Sequence, residues 1–378
     1  MKRVLVLGGG FGGIATARRL REKLDVNDEV ILVDRRDHFM VGFRKTWALV
    51  GESTLDEGQR PLDSLMGLDI RVIHDPVTRI DPSGRAATMR DQRISADALV
   101  VALGAELAPE MIPGFQQFAY NVYDPNDIPR AAQALQEFQE GKLLIGIFGA
   151  PYKCPPAPYE MALLINDSLK ARSVKASIGV FSPQPMSLPI LGQAGCDLIE
   201  SRLADKGIAF FPNRKATAVE RGEVVFANER HQFDLLFGVP PHRPPAVVRE
   251  SGLVGDSGWV SVHPRTLETQ FPGVYAIGDV VQIAMANGKP LPKAGVFAEV
   301  MGETVAERIA ATFAGEEPEA TFKGEGGCYL EVGAGQAMMV RGKFLAEPDP
   351  EVVLTEASPK YLKEKRAFEA QRLQTWFG

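Results

Sequence analysis

The feature that most constrains this chain is a six-residue run near its start, Gly8-Gly9-Gly10-Phe11-Gly12-Gly13. A short apolar segment, residues 3–7, precedes it and reads as a buried strand. The stretch from Ile14 to Leu24 follows and reads as a helix. Glu29 to Asp34 reads as the next strand, closing on a carboxylate about 20 residues past the last glycine. This is a βαβ unit carrying a dinucleotide fingerprint. Gly8, Gly10, Gly12 and Gly13 let the backbone approach a pyrophosphate, the helix N-terminus attracts its charge, and Asp34 takes the ribose hydroxyls.

At 378 residues, 45% of them apolar, the chain is too long for one hydrophobic core. Ala98 to Ala105 reads as another buried strand, placing Ala102 and Gly104 at its carboxyl end. Val274 to Ile277 reads as a strand ending in Gly278-Asp279, and Ala294 to Ala311 as the helix after it. The first domain is therefore expected to be interrupted, with residues 1–108 and 250–315 belonging together. Residues 109–249 form a second α/β unit, with strands at Lys142–Phe148 and Ser177–Phe181 and helices at Tyr159–Ala171 and Gly195–Lys206. Residues 316–378 form a C-terminal extension of strands (Gly327–Gly333, Gln336–Lys343) and a polar tail. The expected class is α/β: two Rossmann-like dinucleotide-binding domains, the first interrupted by the second, plus a C-terminal α+β extension.

The second unit has lost its fingerprint. Its first turn reads Gly149-Ala150-Pro151-Tyr152-Lys153-Cys154-Pro155-Pro156-Ala157-Pro158. Prolines stand where amide donors would meet a pyrophosphate. Its second strand ends in Phe181-Ser182-Pro183, with no acid for a ribose. Nicotinamide-cofactor use is not expected. The same turn carries Cys154 at the carboxyl end of a parallel strand and just before a helix N-terminus, which favours a thiolate. Glu160 follows in that helix, either to manage protons near Cys154 or simply as a first-turn carboxylate. On its residues alone, Cys328 is open between a buried strand cysteine and a functional one. Cys196 reads as a structural thiol.

The GGGFGG start, the Tyr275-Ala276-Ile277-Gly278-Asp279 segment, the Tyr152 to Glu160 turn and Pro292-Lys293-Ala294-Gly295-Val296 together carry a resemblance. The chain resembles the sulfide:quinone oxidoreductases and the flavoprotein subunit of flavocytochrome c sulfide dehydrogenase, over nearly its whole length. The resemblance implies FAD, with Asp279 on the ribityl chain and Lys293 and Gly295 near the flavin ring. It implies that Cys154 and Cys328 form a redox disulfide, that hydrosulfide opens it leaving the thiolate on Cys328, and that electrons pass through the flavin to a quinone or other acceptor. Residues 119–124 lack the further cysteine often found in the first branch, and His38 to Phe43 lack the cysteine that links FAD in the second. FAD is therefore expected to be noncovalent.

A net charge of -6 argues against a nucleic-acid partner. No apolar run is long enough to span a membrane, and residues 1–7 leave no room for a leader, so a cytoplasmic protein is expected. The five histidines are scattered and no metal site is expected; His242, in a Pro-rich loop that resembles the family's flavin-side loop, reads as an exposed side chain, with lining of the acceptor site as the alternative. Lys360 to Gly378 would make a poorly amphipathic helix, because Lys365, Arg366 and Glu369 fall among its apolar residues. It is open between a peripheral membrane contact, packing on a partner subunit in a homo-oligomer, and packing on its own chain. Two other functions remain: a type II NADH:quinone dehydrogenase-like enzyme, and a flavin-containing sulfur-binding or redox-sensing protein without turnover.

Overall fold

The computed structural model describes residues 1–378. In chain order the sheet-building elements begin with β1 (Arg3–Leu7), α1 (Phe11–Lys23), β2 (Glu29–Asp34), β3 (Arg71–His74) and β4 (Ala98–Val101). Next come β5 (Tyr120–Asn121), β6 (Glu140–Ile147), α2 (Ala157–Ala171), β7 (Lys175–Phe181), α3 (Gly192–Asp205), β8 (Ala209–Phe211) and β9 (Leu235–Val239). The chain finishes through β10 (Val274–Ala276), α4 (Gly295–Ala314), β11 (Glu325–Gly333), β12 (Gln336–Lys343), β13 (Glu351–Leu354) and α5 (Pro359–Phe377).

The first sheet has the order β10-β4-β1-β2-β3, with every pair parallel. Its strands read as continuous apolar runs because both faces are covered, as all-parallel sheets require. Val4, Leu5, Val6 and Leu7 have no exposed surface. The order reverses direction at β1, so the crevice at the strands' carboxyl ends opens beside the glycine turn. The late strand β10 completes this sheet, far in sequence from β4, on which it pairs Tyr275 with Val100. Helices α1 and α4 pack closely: a side chain on Gly302 would overlap the carbonyl oxygen of Gly12.

A second all-parallel sheet has the order β5-β9-β6-β7-β8. Its core is separate from that of the first sheet and reaches Leu330, Val332 and Met338 of the C-terminal strands. Those strands form an antiparallel sheet, β11-β12-β13, in which Cys328 faces Val340. The element types match the α/β expectation, with boundaries shifted by a few residues.

The tail departs from the expected polar segment. It is the 19-residue helix α5, capped by Ser358, whose side chain accepts from the Lys360 amide, and started by Pro359. It packs on its own chain. Trp376 lies edge-on to Phe11 and Phe39, each 5.3 Å between centroids, and Phe368 stacks on Phe11 at 6.4 Å. Two of the three charged residues that spoiled its amphipathic pattern are buried and paired: Lys365 with Glu160 and Glu331, and Glu369 with Arg44. No helix is long and apolar enough to cross a membrane.

Candidate active site

The glycine turn forms a cradle between β1 and α1. A side chain on Gly13 would run into the carbonyl oxygen of Gly8, and one on Gly8 into that of Ala102. Gly12 packs on Ile277 and Ala298 of the neighbouring segment, whereas Gly10 and Gly104 face open space. The turn is thus tight beneath and open above, the shape a pyrophosphate needs. Asp34 is buried at the end of β2 and accepts from the Gly9 amide at 2.6 Å and the Arg36 amide at 2.8 Å. Burial alone would raise its pKa; the Arg36 guanidinium and these amides outweigh it and hold the carboxyl below the usual range.

Gly278 and Asp279 follow β10. Burial pushes the Asp279 carboxyl up, against the pull of Lys293 and Lys153, and its Oδ1 is buried without a partner. A buried orphan acceptor facing this cleft is what a hydroxyl donor of a bound dinucleotide would satisfy. Lys293 is also buried, and burial lowers its pKa to about 8. Its ammonium donates to the carbonyl oxygens of Asp279 (2.8 Å) and Val281 (2.9 Å) and lies 3.4 Å from the centre of the Trp259 ring. Gly295 opens α4 against the Phe11 ring. The residues present fit a dinucleotide.

The proline turn after β6 meets this cradle directly. The Cys154 amide donates to the Lys293 carbonyl at 2.8 Å, within a bridge pairing Lys153 with Lys293. Cys154 has a φ of 52°, a left-handed backbone that a non-glycine residue rarely adopts and that clusters at functional sites. The Tyr123 hydroxyl donates to the Cys154 carbonyl at 3.1 Å. Above Gly149, where a second cofactor's pyrophosphate would approach, the Pro241 backbone closes in: a side-chain carbon on Gly149 would lie 3.0 Å from its Cα.

Cys154 and Cys328 line one largely apolar cavity with Leu188, Ile190 and Phe344. Pro292, Ala294 and Phe297 wall both this cavity and the cleft beside Asp279 and Lys293. The structure brings the two cysteines to one cavity as unbonded side chains. The neighbouring Cys328 thiol holds the Cys154 thiol below its usual pKa, helped by the charges of Lys45 and Lys365 and opposed by burial and Glu160. Cys154 in turn, with burial, pushes Cys328 well up.

Glu160 is almost fully buried and ion-paired to Lys365 at 2.7 Å. Cys196 is buried and its thiol donates to the Leu188 carbonyl at 3.1 Å. His242 is not the exposed loop residue expected: it is buried, its Nδ1 lies 2.9 Å from the Pro240 carbonyl, and its Nε2 has no partner. Burial, with the charge of Lys153, drops its pKa to about 3. Sequence reasoning missed Lys45, Trp259, Glu331 and Lys365. For Lys365 the signal was present, as a charge on the wrong face of a helix. For the others nothing local marked them.

A sulfide:quinone oxidoreductase of Mus musculus is 24% identical over 365 residues, covering 91% of this chain and 79% of the relative. A type II NADH:quinone oxidoreductase of Staphylococcus aureus is 25% identical and covers 91% of each chain. Among solved structures, the sulfide:quinone oxidoreductase of Aquifex aeolicus superposes with a TM-score of 0.90 at 24% identity, over 100% of this chain and 92% of that one. Residues 2–302 match the family model described as pyridine nucleotide-disulphide oxidoreductase. With a dinucleotide cradle, a cysteine pair beside it and that match over most of its length, the chain belongs to the pyridine nucleotide-disulphide oxidoreductase family and is an oxidoreductase.

Proposed function

We propose that this oxidoreductase oxidises sulfide, or a related small persulfide or thiol, through Cys154 and Cys328, and delivers the electrons through noncovalently bound FAD to a quinone or another acceptor. The observation that carries the reading is the shared wall. Pro292, Ala294 and Phe297 separate the cysteine cavity from the cleft of Asp279 and Lys293. In this reading residues 1–108 and 250–315 bind FAD, residues 109–249 present Cys154 without a nicotinamide site, and residues 316–378 supply Cys328. The names of the mouse and Aquifex relatives support sulfide and quinone as substrates.

FAD supplies a two-electron carrier. The chain's own residues do the rest. The glycine turn and the α1 N-terminus hold the pyrophosphate, Asp34 takes ribose hydroxyls, and the orphan Asp279 Oδ1 takes a hydroxyl of the cofactor. The nearby Lys293 ammonium favours negative charge there. Hydrosulfide attacks one sulfur of the oxidised pair by thiol–disulfide exchange. The disulfide breaks, a persulfide forms on that cysteine, Cys154 as the resemblance implies, and Cys328 leaves as thiolate. A second hydrosulfide takes the outer sulfur as hydrodisulfide and frees the Cys154 thiolate. Re-forming the disulfide would release two electrons, for which a bound FAD would be the carrier to the acceptor. The sum is two hydrosulfides giving one hydrodisulfide, one proton and two electrons.

The test is anaerobic titration of the FAD-loaded protein with sulfide. Flavin absorbance should bleach, or a long-wavelength band appear, in the wild type and in neither Cys154→Ser nor Cys328→Ser. Equal bleaching in all three removes the cysteine pair from the mechanism. Bleaching in none removes sulfide.

A further inference from the structure

The C-terminal helix places an ammonium inside the protein. Lys365 is 1% exposed and lies 2.7 Å from Glu160 Oε1 and 3.1 Å from Glu331 Oε2. The rings of Phe43 and Trp47 lie 5.1 and 5.2 Å from it. The two carboxylates belong to the elements that carry the two cysteines. Glu160 lies on α2, whose N-terminus follows the Cys154 turn, and Glu331 lies on β11 with Cys328. They are also joined directly, since the Glu331 amide donates to Glu160 Oε2 at 2.8 Å. Trp47 Nε1 donates to Glu331 Oε2 at 2.9 Å. One carboxylate thus ties the backbone of one cysteine's strand to the helix of the other, and Lys365 ties both to α5.

Resting on the functional reading above only for the purpose of the pair, we infer that Lys365 is a positioning residue for the two cysteines: by pairing with both Glu160 and Glu331 it locks α2, which follows the Cys154 turn, to β11, which carries Cys328. Of the triad, Glu160 and Lys365 are the groups whose charges reach both thiols, and they oppose each other there. Without Lys365 the charge of Glu160 would act unopposed on the thiols. The effect on both cysteines has the same sign: Glu160 raises their pKa and Lys365 lowers it. The other charged groups around the triad are Glu52, close enough to act on it, and Arg366, which pairs with Glu52 at 3.3 Å; Lys45 acts on Cys154 as well. Glu369, one turn beyond Lys365 on α5, is neutralised by Arg44 from the N-terminal domain. A packing role alone would be met as well by an apolar side chain, since buried ion pairs seldom stabilise more than their hydrophobic replacements.

The experiment reads the pH midpoint of Cys154 alkylation by iodoacetamide in the reduced, FAD-loaded protein, by peptide mass spectrometry, with neither sulfide nor quinone present. Lys365→Gln should raise the midpoint by about one pH unit, a tenfold slower alkylation at fixed pH below it. Glu160→Gln should lower it, and Lys365→Arg should return it toward wild type. Should Lys365→Gln fail to fold, Lys365→Gln/Glu160→Gln removes one charge of each sign, and its midpoint must lie above that of Glu160→Gln alone. A wild-type midpoint in folded Lys365→Gln overturns the inference, as does a shift that Lys365→Arg leaves in place. Because no sulfide is used, these shifts can appear in a protein that fails to oxidise sulfide, and can be absent in one that succeeds.

Discussion

Gly13 shows how little room the cradle leaves. A methyl group there would overlap the Gly8 carbonyl, which is backbone and cannot swing aside. Gly13→Ala is expected to cut the FAD retained on purification by roughly tenfold or more, read as the ratio of flavin to protein absorbance, while Gly10→Ala, whose side chain points into open space in this structure, folds normally. Lys293 gives a second expectation. Its pKa is about 8 in the folded chain against an ordinary value near 10.5. Between those values the unfolded chain binds more protons, so this residue makes stability rise with pH across that window, by at most roughly 3 kcal/mol. Denaturant unfolding of the apoprotein from pH 8 to 10.5 should show a smaller rise in Lys293→Met. At this scale the glycines and Asp34 were legible because their fingerprint is local. His242 was not, since the fold around it, and no neighbour in sequence, decides that a loop histidine is buried with its Nε2 unpaired.

The last helix is where pattern reading and structure diverged most. Lys365 and Glu369 looked like faults in an apolar stripe, and the structure pairs each with a partner far away in sequence. Hydrophobic periodicity has no symbol for a buried charge whose counter-charge lies elsewhere, so the pattern reads as poorly amphipathic where the helix is held by buried ion pairs. Its aromatic end rests on Phe11, which stands inside the glycine turn, and on Phe39. Trp376→Ala should therefore lower unfolding free energy by about 3–5 kcal/mol and weaken FAD binding as well. Equilibrium denaturation and flavin fluorescence on dilution measure the two effects. An unchanged denaturation midpoint would show that the helix end contributes nothing to the first core.

Across the whole molecule, two parallel sheets repeat one architecture but only the first retains the dinucleotide fingerprint. The alternation of strands and helices, and the return of the chain to the first sheet at β10, could be read from apolar runs and terminal glycines. The link between the Cys154 turn and Lys293 could not, because it runs through backbone groups that carry no side-chain signature. Pro241 crowding Gly149 and the prolines of the Cys154 turn lead to a direct expectation. In anaerobic stopped-flow mixing, NADH should leave the flavin oxidised over times in which sulfide reduces it; fast bleaching by NADH would favour the type II NADH:quinone dehydrogenase reading instead.

The single hydrogen bond from the Cys154 amide to the Lys293 carbonyl has a thermodynamic corollary. A turn that shifts when its cysteine changes oxidation state drags the segment leading into α4 with it. Cofactor affinity and dithiol redox poise then become linked functions, and linkage is reciprocal. Whatever factor separates FAD's affinity for the disulfide and dithiol forms must reappear as the factor by which FAD loading changes the equilibrium constant of the cysteine couple.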